Sequence, residues 1–185
     1  DIYPAVKGHT LFMLKEHYSM PLYATKEEVI HKFSLIPSLS QAIKSAIVKT
    51  GMNVFVALGS AAGQQSYHFM VHLLPRENED KFFNFLLKKG VKTSSEERKA
   101  ISDLVCKVMQ TSPKKFSNQD GSMSIYEDEK VRCIIPDEGA AKGEVIIYSK
   151  TEEKHLEKLS PEDSAHLFEV ASAVSRVVFE ALRAQ

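Results

Sequence analysis

The sequence has no excess of charge of either sign: 24 Lys and Arg balance 24 Asp and Glu. No whole-molecule field draws such a chain to bulk nucleic acid or to an acidic membrane, although local donors can still hold a small anion. Cysteine is scarce. Cys106 and Cys133 are too few for a disulfide framework and too far apart for a metal-binding knuckle, which points to a reduced, cytoplasmic setting. No apolar run exceeds strand length, so no segment reads as membrane-spanning, and no secretory signal opens the chain. The first residue is Asp1 and not a methionine, as expected of a processed product or a piece of a longer chain. What is there, 185 residues of which 43% are hydrophobic, suffices for one full core or two small ones.

One pattern occurs twice. Gly8-His9-Thr10-Leu11-Phe12-Met13-Leu14-Lys15 matches Gly143-Glu144-Val145-Ile146-Ile147-Tyr148-Ser149-Lys150 at an offset of 135 residues. The offset holds without a gap to the end of the chain, setting Thr25 on Ser160, Glu27 on Glu162, His31 on His166, Phe33 on Phe168 and Ser40 on Ser175. Each copy reads as a short buried strand (9–14 and 144–148) followed by a helix. Thr25 with Glu28, and Ser160 with Pro161, Glu162 and Asp163, supply the N-terminal caps. Pro37 predicts a kink or break in the first helix, where a helix interior would lose a hydrogen bond.

Between the copies, Gly51 ends an element, Asn53–Ala57 reads as a strand, and Gly59–Gly63 as a turn. Tyr67–Leu74 reads as a second strand, closed by Pro75-Arg76. Residues 81–89 and 95–110 look helical, the latter capped by Ser94 and Glu97. A polar stretch at 111–122 is the expected linker between a unit at 1–110 and a unit at 123–185. Ile125-Tyr126 and Lys130–Ile135 then read as a hairpin.

Side chains alternate along a strand, so His68, Met70 and His72 share one face, while Phe69, Val71 and Leu73 form an apolar face suited to packing under a helix. Two histidines so placed after a Gly-rich turn can offer ring N–H donors to a phosphate, with backbone N–H groups of the turn close by. The strand alone also suits ordinary polar residues on a solvated sheet face. Zinc held by His68 and His72 would need a third ligand, and no carboxylate or cysteine stands beside them at ligand spacing. His17, His31 and His155 read as solvated or capping side chains, and the acidic run 77–80 as an exposed face. Cys106 reads as a small core residue.

Residues 53–76, NVFVALGSAAGQQSYHFMVHLLPR, resemble the signature segment of the histidine-triad (HIT) family, whose core is His-x-His-x-His-x-x with x apolar. Residues 1–17 are similar to the family's strand in which an Asp helps hold the ribose and a His follows Gly. Residues 124–150 and the following helix resemble the opening part of a second such unit, including the IYEDEKV hairpin. The resemblance implies an α+β fold, an antiparallel sheet with one long helix. Family units pair through a continuous sheet, so two related units would form an internal pseudo-dimer, or one unit a homodimer.

In active members the middle histidine attacks the α-phosphorus of a nucleotide and forms a nucleotidyl-imidazole that water resolves. Carried onto this sequence, the catalytic positions are His68 and His72, with Met70 in the place of the nucleophile. The nucleotide-binding positions are Asp1 (ribose), His9, Gly63, Gln64, Gln65, His68 and His72. The implied ligand is a purine nucleotide or nucleotide phosphate ester, with no cofactor and no metal. A thioether has no proton to manage and attacks a charged phosphorus poorly. Ala57 stands where the family has an Asn facing phosphate, and Glu144 stands opposite His9 in the second copy. These departures imply a degenerate nucleotide hydrolase or transferase. Two alternatives are an active enzyme whose triad lies outside this chain, and a non-catalytic interaction scaffold.

Overall fold

The computed structural model describes residues 1–47, 49–78, 80, 90–108 and 122–182. The helix expected at 81–89, residues 109–110 of the next helix and all but Ser122 of the 111–122 linker lie outside the described residues. The chain divides into two compact units, one built from Asp1–Phe83 and Glu153–Glu169, the other from Asn84–Glu152 and Val170–Ala184. The architecture is α+β with antiparallel sheets, as the sequence implies. No helix among the described residues is long and apolar enough to cross a membrane.

In the first unit, β1 (Thr10–Met13), β2 (Gly51–Phe55) and β3 (Met70–Arg76) form a three-stranded antiparallel sheet in the order β1-β3-β2. Thr10 pairs with Leu73 and Met13 with Met70 on one side of β3; Gly51 pairs with Arg76 and Phe55 with His72 on the other. The apolar face of β3 behaves as the alternation predicts. Phe69, Val71 and Leu73 are buried against Val29, Phe33 and Ile36 of α1 (Lys26–Ser34) and α2 (Ile36–Ile47).

The strand does not start at Tyr67, nor does Pro75 close it: β3 begins at Met70 and runs through Pro75 to Arg76. A bend at Ser66–His68, where the Ser66 hydroxyl oxygen accepts from the His68 N–H at 3.1 Å, holds the first residues out of the ladder. Pro75 is tolerated because β1 stops pairing at Leu73, leaving β2 as the only paired neighbour there. Likewise β2 starts at Gly51 and ends at Phe55, two residues short of the expected end at Ala57. Arg76 and Asp80 form an ion pair, and Asn53 Oδ1 accepts from Arg76 at 2.7 Å. Glu77 pairs with Lys49, so the acidic run 77–80 includes two ion-paired residues.

The helix of the first copy breaks at Leu35, two residues before Pro37. Proline has no N–H for the Phe33 carbonyl four residues back, and its ring crowds that oxygen. The Ser164 hydroxyl donates to it at 2.9 Å, fully buried. Thr25 and Glu28 form the reciprocal capping box the sequence predicts. Phe168 stacks on Phe33 with centroids 4.3 Å apart. These two contacts come from the first turns of α4 (Pro161–Leu182), capped by Ser160, whose hydroxyl accepts from the Asp163 N–H.

The second unit holds β4 (Val91–Lys92), α3 (Ser95–Val108), β5 (Met123–Glu127), β6 (Val131–Ile135), β7 (Glu138–Gly139) and β8 (Ile146–Ser149). β5, β6 and β8 form an antiparallel sheet, and β4 pairs with β7. The expected hairpin is present and turns at Asp128, whose carboxylate accepts from the N–H groups of Lys130 and Val131 at 2.8 Å. Cys106 is a core residue; its thiol donates to the Ile125 carbonyl. The Glu144 carboxylate accepts from the Ala140 N–H at 2.6 Å, tying down its own loop.

Candidate functional site

His9 enters β1 directly after Gly8, whose φ of +83° only glycine adopts without strain. A Cβ at Gly8 would lie 2.5 Å from Ile47 Cδ1 and 3.3 Å from Pro75 Cγ, so this glycine also permits close approach to the helix and to β3. The turn delivers a buried His9 to the start of the edge strand β1, where its Nε2 lies 3.0 Å from Nδ1 of His72 on the central strand β3. The two rings stack with centroids 5.2 Å apart, and Phe55, paired with His72 in register, closes the other side at 5.9 Å. Burial pushes both histidine pKa values down, and for His72 the neighbouring His9 adds to the effect. Both rings are therefore neutral near pH 7.

A neutral His9 has a partner for either tautomer. With the proton on Nε2, it donates to His72 Nδ1 while its own Nδ1 accepts from the Ala5 N–H at 3.2 Å. With the proton on Nδ1, it donates to Asp1 Oδ2 at 3.1 Å and accepts from His72. The second nitrogen of His72 is a donor in the first arrangement and an acceptor in the second. The Asp1–His9–His72 line thus sets which hydrogen-bonding sign His72 presents to a ligand. Asp1 Oδ1 accepts from the Tyr3 N–H at 3.0 Å.

His68 is half-buried just before β3, and its Nδ1 is buried without a hydrogen-bond partner. The ring of His17 lies against it, with centroids 4.8 Å apart and planes at 54°. His17 itself is exposed, as expected of a solvated side chain, and adds this ring contact to His68. Beside it the Tyr18 carbonyl accepts from the Phe69 N–H at 2.6 Å, joining segments some fifty residues apart that no local pattern connects. Met70 is half-buried, across from Met13 on the strand face it shares with His72.

Gln64 sits inside the Gly59–Gly63 turn, both of whose terminal glycines have φ of +82°. Its carbonyl accepts from the Gly59 N–H at 2.7 Å, and its amide donates to the carbonyls of Ser19 and Ser66 at 2.8 and 2.9 Å. Gln64 therefore braces the turn and the approach to His68. Gly63 and Gln65 are exposed beside it. Among the described residues no group of three His, Cys, Asp or Glu side chains is disposed to hold a metal ion.

Sequence reasoning missed Lys32 altogether. This lysine of α1 is fully buried, with Nζ 3.7 Å from the centroid of the Phe69 ring, 5.6 Å from that of Phe12 and 3.4 Å from the Phe69 carbonyl oxygen. Burial pushes its pKa down to about 8. The missed signal was position: Lys32 falls between Val29 and Phe33, on the buried side of a helix whose charged residues elsewhere face solvent.

A domain model of the HIT family matches residues 1–79. A HIT-like protein of Borreliella burgdorferi is 33% identical over 101 residues, which cover 54% of this chain and 70% of that protein. Adenylylsulfatase HINT3 of Arabidopsis thaliana is 34% identical over 80 residues, 43% of this chain and 41% of that one. The crystal structure of a HIT family protein from Bacillus anthracis superposes with a TM-score of 0.48 at 30% identity, over 60% of this chain and 77% of that chain. The chain belongs to the HIT family.

Proposed function

We propose that this chain binds a purine nucleotide or nucleotide phosphate ester through His9, His68 and His72, and that Met70 leaves this site without covalent nucleotidyl transfer. The observation that carries the reading is the 3.0 Å contact between His9 and His72, buried in the sheet and backed by Asp1. It fixes one imidazole against another and leaves the second nitrogen of His72 without a partner among the described residues. With His68 Nδ1 also unpartnered, two ring nitrogens on the approach to β3 and on the strand itself remain for a ligand. Neutral imidazole N–H groups suit phosphate oxygens, and burial strengthens each such bond. HINT3, named an adenylylsulfatase, supports an adenylyl group as the part recognised.

The thioether of Met70 neither carries a proton nor displaces a leaving group at phosphorus as imidazole does. Bound nucleotide therefore leaves unchanged. Titration of the chain with adenosine 5′-monophosphate, followed by calorimetry, tests the reading. Saturable heat is expected, and its absence at millimolar ligand would reject nucleotide binding.

The same reading makes residues 123–185 the opening part of a second unit, with the repeat itself starting at Gly143. Several features recur at the offset of 135 residues seen in the sequence: glycines of positive φ at Gly8 and Gly143, short 3-10 turns at Pro21–Tyr23 and Leu156–Lys158, and helix starts at Lys26 and Pro161. The test is the coding sequence around this segment: a His-rich strand about 135 residues beyond Tyr67 would support the second copy, and its absence would reject it.

A further inference from the structure

Phe69, between His68 and Met70, has both of its backbone polar groups held from outside the sheet. Its N–H donates to the Tyr18 carbonyl at 2.6 Å, and its carbonyl accepts from Lys32 Nζ at 3.4 Å. The Tyr18 hydroxyl in turn donates to the Glu28 carboxylate at 3.0 Å, and Glu28 is the acid of the α1 capping box. Helix α1 thus reaches the entry to β3 twice, once through Glu28 and Tyr18 and once through Lys32.

Packing does not explain the lysine. An apolar side chain would fill the space against Phe12 and Phe69 without burying an ammonium group, and at the position offset by 135 residues the chain has Leu167. Among the described residues no carboxylate pairs with Lys32; its partners are one carbonyl and two aromatic rings. A buried cation with so little compensation is retained at a cost in stability, as groups that serve a site are.

From this geometry we infer that Lys32 is a positioning residue of the nucleotide site, clamping the peptide between His68 and Met70 and so fixing how His68 is presented. The inference rests on the nucleotide-binding reading for its consequence, though the clamp itself exists in the free protein. Lys32 acts from the helix side, whereas Met70 and His72 lie on the opposite face of β3, so it touches no ligand. Its effect passes through the Phe69 backbone. Without the clamp the residues before Met70 gain freedom, and the His68 ring loses its fixed place against His17.

The test is Lys32→Met, which keeps chain length and apolar stem but removes the donor and the charge. Two measurements are made: the His68 and His17 ring resonances in ligand-free protein, and titration with adenosine 5′-monophosphate. The variant is expected to fold with unchanged helical content, to shift both sets of ring resonances, and to bind the nucleotide about tenfold more weakly. Lys32→Arg, which retains a donor and a charge, should restore much of the affinity. Unmoved ring resonances in a folded Lys32→Met protein would overturn the inference, and so would failure of that variant to fold, which would make Lys32 a residue of the fold alone. Shifted resonances in a system where even the unaltered chain binds no nucleotide would uphold the clamp and reject the nucleotide reading instead.

Discussion

His9 Nε2 and His72 Nδ1 lie 3.0 Å apart and share a single hydrogen bond, so the two imidazoles cannot both be doubly protonated without placing an N–H against an N–H. Both pKa values are lowered from 6.5, by burial first. The unfolded chain therefore binds protons at these positions before the folded one does. Their contribution to stability is complete above pH 6.5 and is lost as pH falls through the lowered folded values. Urea unfolding should show stability that is level above pH 6.5 and falls as pH drops below it. In a His72→Asn variant most of that slope should vanish; an unchanged slope would place the titrating groups elsewhere.

Ser164 is the partner that makes the break before Pro37 tolerable. Ser164→Ala would leave the Phe33 carbonyl buried without its donor at the point where proline has already removed the helical one. The expected destabilisation is about 1–3 kcal/mol. Chemical denaturation of the variant measures it, and a loss below about 0.5 kcal/mol would mean that this carbonyl finds another donor.

Gly8→Ala would strain the backbone at φ +83° and press a methyl group onto Ile47 and Pro75. A cost of about 1–3 kcal/mol is expected, together with movement of His9 away from His72. The signature is a lower Tm accompanied by an altered His72 ring resonance. Lower stability with His72 unperturbed would show that Gly8 serves the turn and not the histidine pair.

How far this was legible in the sequence depends on the range of the cause. The Thr25–Glu28 cap, the break before Pro37 and the buried face Phe69-Val71-Leu73 follow from residues within a turn or two of one another. The HIT resemblance brought Asp1, His9 and His72 onto one list, and the structure brings them within hydrogen-bonding reach. Three features were not legible. The Tyr18 carbonyl takes the Phe69 N–H just before β3, the His17–His68 contact accompanies the same long-range bond, and the burial of Lys32 depends on two aromatic rings from different strands or their approaches. Local periodicity cannot report such contacts, because nothing in the spacing around Lys32 marks its ammonium as enclosed. The partners of Gln64 were not legible either: its amide braces the Gly59 N–H of the turn and the carbonyls of Ser19 and Ser66, which lie outside it.

On the proposed reading, the chemistry of the site turns on Met70. It shares the strand face of His72, and Met13, its partner across the sheet, is 41% exposed, so an imidazole at this position has room to reach solvent. In Met70→His, the new ring nitrogen would attack the phosphorus of adenosine 5′-phosphoramidate. The P–N bond breaks, the nitrogen takes a proton and leaves as ammonia, the simplest amine, and water then cleaves the nucleotidyl-imidazole to adenosine 5′-monophosphate. His72 is the neighbour placed to manage the proton, because the line to His9 and Asp1 lets its free nitrogen either donate or accept. The unaltered chain should release no amine above solvent background. The variant should exceed that background by at least about a hundredfold, a gain within what a positioned acid–base group supplies, and adding His72→Asn should remove most of it. A silent variant that still binds the nucleotide would move the deficiency to Ala57, which follows β2 and carries no polar side chain. Turnover by the unaltered chain would reject the methionine block outright.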